Sequence, residues 1–348
     1  MASGVTYGHE LPTGQAGELP VATRTPEERR RRRRLIVIFF LLGVLLLLMA
    51  LAIWYFLFRQ PINPLPVIPV TPVPAYSTSI YGVTRPIGLA VSTAGDRIYV
   101  TQGAATNIGV VLDGGGTVIG PMTPPDTATG HQPIYAAIDP ITQEVYEADR
   151  LAGTIYVFDR DGAYLRELVP PNTSGWQPVG LAFDGAGALY VTDLSGSGAR
   201  ILVIDRNGTV VRTVGAGDRL NFPNGVAVDK AGVIYVADSN NGRLLAYATD
   251  GKVVAQVGRG VGKGSLGIPR GLSIDGDGRL FVTDTTAQEI SIFRVLNGAA
   301  GQLEYLGSFG VPGIGDGQFT FPTSVAVDSR GHVYVADTFN DRVQLWSY

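Results

Sequence analysis

Five aspartates recur along the chain, each at the end of the second strand of a repeat: Asp149, Asp193, Asp238, Asp284 and Asp337. Gathered around one axis, carboxylates and amides could hold a hard cation such as calcium, and a bound calcium would support lactone or ester turnover. The repetition itself favours a simpler role. An acid at the same place in every repeat accepts the backbone N–H groups of its local loop, whereas a metal site draws unlike residues from different repeats. Other chemistries lack their side chains. The sequence has no Cys, so it has no disulfide, thiolate nucleophile or thiolate metal ligand. Its three histidines are His9, His131 and His332. His131 precedes one repeat and His332 falls in a turn of another, in loop types expected on opposite faces, so no histidine-rich zinc site forms. Hydrolysis by a Ser-His-Asp triad lacks a poised His and a nucleophile elbow.

The elements that carry these aspartates repeat with them. Six prolines, Pro86, Pro133, Pro178, Pro223, Pro269 and Pro322, lie 47, 45, 45, 46 and 53 residues apart. Each begins a unit of short strands and Gly turns, and a period near 45 written that way predicts a β-propeller with one repeat per four-stranded blade. In the fourth unit the strands read Gly225–Asp229, Val233–Asp238, Arg243–Tyr247 and Val253–Val257. They are apolar or small almost throughout, as strands buried on both faces should be. Asp161-Gly162, Asn207-Gly208 and Asp250-Gly251 suit tight hairpins between third and fourth strands. The sixth unit stops after its third strand, and residues 75–82 form an unassigned extended segment before the first unit. That segment is expected to supply the missing outer strand and to close the ring, removing an exposed sheet edge.

Phe222-Pro223-Asn224-Gly225-Val226-Ala227-Val228-Asp229, the later Val236-Ala237-Asp238-Ser239-Asn240-Asn241-Gly242-Arg243, and Tyr334-Val335-Ala336-Asp337-Thr338-Phe339-Asn340-Asp341-Arg342-Val343 resemble the NHL repeat. The resemblance covers residues 75–348. The first two repeats depart from it, with Gln102 in place of the Asp and Glu147-Ala148-Asp149 in place of the apolar lead-in. NHL propellers include extracellular sensor domains of bacterial transmembrane Ser/Thr kinases, RNA-binding domains and a few metal-dependent enzymes, so the resemblance implies a fold more than a function. The amidating-lyase branch needs a multi-histidine site that this chain lacks, and residues 1–34 leave no room for a kinase.

Residues 35–58 are 24 apolar residues without charge or proline. As a helix they would run about 36 Å, enough to cross a hydrocarbon core of about 30 Å. The Ala50-Leu51-Ala52 triplet is followed by more apolar residues rather than a mature start, which favours an uncleaved anchor over a signal peptide. Arg29 to Arg34 abut the helix on one side against Arg59 on the other, so the N-terminus is expected in the cytoplasm and the propeller outside the cell. Residues 1–34 read as a disordered tail, and residues 59–74, with six prolines, as a semi-rigid polyproline stalk. Residues 76–348 hold 19 Lys and Arg against 26 Asp and Glu, a net −7. That acidity argues against nucleic acid, whose binding needs cations to neutralise phosphates.

The fold class expected is therefore all-β, a six-bladed NHL-type β-propeller over residues 75–348 preceded by one transmembrane helix. Its asymmetric features mark a binding surface. The residues after the six prolines, Ile87, Ile134, Val179, Asn224, Arg270 and Thr323, should face the mouth of the channel. Aromatic and Arg side chains anchor interfaces, so Trp176, Arg219, Asn224, Arg259, Arg270, Phe319 and Phe339 are the candidate binding residues. Phe222 and Phe321, each before its proline, are expected to pack between blades. The expected function is a membrane-anchored extracellular binding or scaffolding module for a protein, peptide or glycan partner, without a cofactor. A calcium-dependent lactonase or esterase is the alternative, and calcium enters only under it.

Overall fold

The computed structural model describes residues 26–58, 73–103, 108–125, 130–196, 198–295 and 303–348. They divide into two units, Met1–Pro69 and Val70–Tyr348. In the first, α1 (Pro26–Phe58) begins nine residues before the expected Leu35. The arginine run is helical rather than disordered. Pro26 fits the first helical position, glutamates follow in the first turn, and Arg is a good helix former. Within α1, Arg29–Tyr55 is long and apolar enough to cross a membrane. The rest of the expected tail, residues 1–25, and residues 59–72 of the expected stalk lie outside the described residues.

The second unit contains six four-stranded sheets of antiparallel strands. Each repeat proline opens the first strand of its blade: Pro86–Val91, Pro133–Ile138, Pro178–Phe183, Pro223–Val228, Pro269–Ile274 and Pro322–Val327. A strand's first residue tolerates proline because no ladder N–H is required there. These first strands touch their neighbours in a closed circuit from blade 1 to blade 6 and back. Ring closure is as expected: β1 (Ala75–Ile80) pairs antiparallel with Arg342–Ser347, Ala75 opposite Ser347 and Ile80 opposite Val343. Ile80 is buried there among Leu89, Tyr334 and Val343.

The core lies between blades, in apolar clusters where one sheet faces the next. Second strands such as Ile234–Asp238 and Val333–Asp337 are buried at every residue, which explains why their sequences do not alternate. Hydroxyls at the ends of second strands clasp the first strand of the following blade. Thr101 donates to the Ile134 carbonyl at 2.8 Å, Thr192 to Asn224 at 3.2 Å, Thr285 to Pro322 at 2.7 Å, and Thr338 to Pro86 at 2.7 Å. The first strands approach so closely that a Cβ on Gly180 would collide with the Asn224 carbonyl oxygen. The longest repeat accommodates its extra residues in seven-residue outer strands, Glu289–Val295 and Leu303–Phe309, and in a small parallel ladder of Val311–Pro312 with Gln318–Phe319.

Candidate functional site: the mouth of the channel

The repeated aspartates are loop caps. Asp149 Oδ1 accepts the backbone N–H groups of Gln132, Leu151 and Ala152 at 3.0, 3.0 and 2.9 Å. Asp193, Asp238, Asp284 and Asp337 accept those of Gln177, Asn221, Gly267 and Thr320 in the same way. Three of them also hold an arginine: Arg200 on Asp193 at 3.0 Å, Arg243 on Asp238 at 2.6 Å and Arg342 on Asp337 at 2.8 Å. Their lone pairs are thus turned to the protein. His131 bonds Asp149 at 2.9 Å and His332 bonds Asp328 at 3.0 Å, in separate loops. Among the described residues no group of three or more His, Cys, Asp or Glu could hold a metal ion. The donor set does not fit the calcium of the enzyme alternative.

A different set of side chains meets at the mouth of the channel. All six post-proline residues line one cavity of about 270 Å³, together with Arg85, Gln132, Tyr135, Arg150, Phe222, Phe321, Thr338 and Phe339. Ile87, Ile134 and Val179 make one arc apolar, while Asn224, Arg270 and Thr323 make the other polar. Tyr135 lies at the floor. Its hydroxyl donates to the Thr323 carbonyl at 2.9 Å, from blade 2 to blade 6. It also lines the next cavity along the channel, of about 320 Å³. Burial raises the Tyr135 pKa, opposed by the Arg270 charge, so the phenol remains a neutral donor.

The rim is layered. The Arg85 guanidinium stands over the Phe339 ring at 5.5 Å, Phe339 stacks on Phe321 at 4.8 Å and 14°, and Arg270 stands over Phe321 at 5.1 Å. Arg150 faces the Phe222 ring at 5.9 Å and donates twice to Gln132 Oε1, at 3.1 and 2.7 Å. Arg85, Phe222 and Phe321 have φ of 46°, 55° and 59°. Left-handed backbone is strained for bulky residues and tends to collect at ligand sites.

Of the expected binding residues, Asn224, Arg270 and Phe339 come together here. Asn224 is buried, its Nδ2 donating to Ser239 Oγ at 2.7 Å, and Phe339 is 52% exposed. The others stand elsewhere. Trp176 is a packing residue, 3% exposed, its indole N–H donating to the Gly153 carbonyl at 2.6 Å. Phe319 is fully buried against Trp346. Both were expected at the binding surface as aromatic anchors between blades, but each turns inward and packs in an apolar cluster between two blades. Arg219 and Arg259 stand in the loops that join consecutive blades and do not line the mouth. The expectation that Phe222 and Phe321 pack between blades is corrected: both line the mouth. Arg85, Arg150 and Tyr135 were not expected. Their sequence signal is that all three fall in the two repeats that depart from the pattern.

The NHL repeat is matched at residues 220–247 and 319–345, which are blade 4 and blade 6. The chain carries NHL repeats. This NHL propeller is 30% identical over 147 residues to a probable peptidyl-alpha-hydroxyglycine alpha-amidating lyase of Caenorhabditis elegans, a match covering 41% of this chain and 39% of that protein. It is 34% identical over 117 residues to the peptidylglycine alpha-amidating monooxygenase of Rattus norvegicus, covering 33% of this chain and 10% of that one. The chain thus spans well under half the length of these curated relatives. Among solved structures, a streptogramin B lyase aligns over 78% of this chain and 96% of its own, with TM-score 0.57 and 14% identity. A Bacteroides thetaiotaomicron protein of unknown function aligns over 79% and 72%, with TM-score 0.60 and 15% identity. At such identities these structures support the propeller fold alone.

Proposed function

We propose that the chain is a membrane-anchored binding propeller, with its N-terminus in the cytoplasm and its blades outside the cell. Its mouth takes a protein, peptide or glycan partner. One observation carries this reading: six equivalent positions of a repeated fold, unlike in chemistry, converge with stacked aromatic and Arg side chains on a single concave site. Pockets that combine apolar walls with a few placed polar groups are the usual places for ligands. The anchor rests on Arg29–Tyr55, and the orientation on the arginines of its N-terminal side.

The test is an array of peptides and glycans probed with the detergent-solubilised full chain. Hits should vanish for Phe339→Ala, whose exposure makes it tolerable to the fold, and persist for Arg259→Ala. Hits equally strong with both variants would remove the mouth from consideration. Because the sequence has no Cys, the single thiol of Lys252→Cys, at a side chain 82% exposed, reports orientation. Labelling of intact cells by an impermeant maleimide is expected, and labelling only after lysis would reverse the topology.

The names of the amidating and lyase relatives favour a second reading, an enzyme working at the same mouth. It needs a metal bound by residues outside the sets described above. Stoichiometric calcium or zinc in the purified chain, with a fall in melting temperature on chelation, would establish it in place of the binding reading.

A further inference from the structure

We infer that the ligand taken at the mouth presents an anionic terminal group, a carboxylate or a phosphate monoester, carried on an apolar or aromatic body. The inference rests on the reading of the mouth as a binding site and names the chemistry of what enters it.

Two sets of arginines occupy the same end of the blades. Arg200, Arg243 and Arg342 are matched by Asp193, Asp238 and Asp337, which are fully buried. Arg85, Arg150 and Arg270 line the cavity, and no Asp or Glu lines it with them. The nearby Asp341 accepts the Arg85 backbone N–H at 2.7 Å, and no described carboxylate lies within ion-pair distance of any of the three guanidinium groups. This is not for want of acids, since residues 76–348 hold 26 Asp and Glu against 19 Lys and Arg. Three like charges that converge on one cavity repel one another, and an anion placed between them relieves the repulsion.

Arg270 adds a second observation. Its Nε is buried and has no hydrogen-bond partner among the described residues. A buried unpaired donor is costly, and in native proteins it signals a missing acceptor. The site is also preorganised for a planar acceptor. The Arg85–Phe339–Phe321–Arg270 layers fix two guanidinium groups, and Gln132 fixes the third by two hydrogen bonds. Held this way, the arginines lose little further freedom when they fork onto a carboxylate or phosphate. Ile87, Ile134 and Val179 on the opposite arc need an apolar partner, which supplies the second half of the ligand's description. A cavity of about 270 Å³ accommodates an end group rather than a whole polymer. The acidic exterior further disfavours a polyanion lying across the face.

The test is isothermal titration of the full chain, in neutral detergent, with N-acetylphenylalanine, N-acetylphenylalanine amide and phenyl phosphate. At least one of the two anions should bind about tenfold or more tightly than the neutral amide. Arg85→Gln and Arg270→Gln should each reduce that affinity about tenfold, and added salt should weaken it. Preference between carboxylate and phosphate then identifies the source as a chain terminus or a phosphoester. If the amide binds as well as the acid and Phe339→Ala abolishes both, the mouth remains the site and the inference of an anion is overturned. If the anions bind but neither the Arg nor the Phe339 variants alter it, the mouth itself is not the site. Absence of heat from both anions at about 10 mM, where even a millimolar ligand saturates, overturns the inference directly.

Discussion

Blades 4 and 6 differ from blades 1 and 2 in what stands at the fixed points of one shared plan. In blade 4, Asp238 takes the Asn221 backbone N–H, Asn241 Nδ2 at 2.8 Å and Arg243 Nε at 2.6 Å. Blade 6 repeats the arrangement with Asp337, Thr320, Asn340 and Arg342. In blade 1 Gln102 replaces the acid, taking the Thr84 N–H at 2.7 Å and giving its own amide to the Ile108 carbonyl at 3.0 Å. Blade 2 keeps Asp149 but sets His131 against it instead of an arginine. Blades 4 and 6 tie their arginine into the blade. Repeats that depart from the pattern place Arg85 and Arg150 at the mouth without a carboxylate. The regular blades 4 and 6 thus supply aromatic and polar walls to the mouth, whereas the irregular ones supply two of its three arginines.

The largest effect should separate these two halves by stability. Asp337 is fully buried with Arg342, itself only 4% exposed, and also accepts Gln344 Nε2 at 2.9 Å. Asp337→Ala strips the buried guanidinium of its main carboxylate, leaving the Gly315 and Gln318 carbonyls and the exposed Asp316 at 3.7 Å, and should cost about 3–5 kcal/mol. Gln102→Ala removes neutral hydrogen bonds and should cost about 1–2 kcal/mol. Denaturant midpoints of the two variants would check this. Equal losses would mean that the charged clamp is no more structural than its neutral substitute.

The same contrast explains what could be read from sequence. The prolines, the closing strand and the capping aspartates were legible because each answers a local backbone requirement that recurs in every blade. The mouth was half legible: Asn224, Arg270 and Thr323 follow their prolines by rule, but Arg85 and Arg150 lie where the rule fails. Phe222 and Phe321 were misplaced because a residue before proline looks like packing, and only the φ of 55° and 59° turns them to the rim. Trp176 and Phe319 were misplaced in the opposite sense. Their loops fold into the grooves between blades, a tertiary fact that polar neighbours conceal. The helical start at Pro26 was missed because a run of like charges reads as solvated chain although arginine favours helix.

Glu147, where blade 2 departs from an apolar lead-in, sharpens the contrast through pH. It is 1% exposed, and a Cβ on Gly109 of blade 1 would collide with its Oε2. That oxygen has no hydrogen-bond partner among the described residues. Burial, with the Asp149 charge, pushes its pKa up from 4.5 to about 8. A raised folded-state pKa means that the unfolded chain ionises first as pH rises. Stability should therefore be unaffected below about pH 4.5, fall through the interval and level off above about pH 8. Glu147→Gln removes the titration, so its advantage over the parent should grow by about 3–5 kcal/mol between about pH 4.5 and about pH 9. Thermal melts across that range decide it. A constant difference would show that the ionised Glu147 finds a hydrogen-bond donor or a path to water, and that blade 2 tolerates its departure without cost.

The smallest effect concerns the third residue of each first strand. It is Gly88, Gly180, Gly225, Gly271 and Ser324 in five blades, and Tyr135 in blade 2. The small residues let neighbouring strands close up, whereas Tyr135 reaches the Thr323 carbonyl and separates the two cavities of the channel. Tyr135→Phe keeps the ring and deletes one buried hydrogen bond, so it should cost about 1 kcal/mol. If Tyr135 serves as the floor of the site, the ring alone closes the channel and the affinity of the mouth for N-acetylphenylalanine should be unchanged. A loss of stability well above that estimate would make the bond from blade 2 to blade 6 part of the frame. A loss of affinity at normal stability would instead make the hydroxyl part of the site. Either result would redraw the division between regular and irregular blades at the residue where they meet.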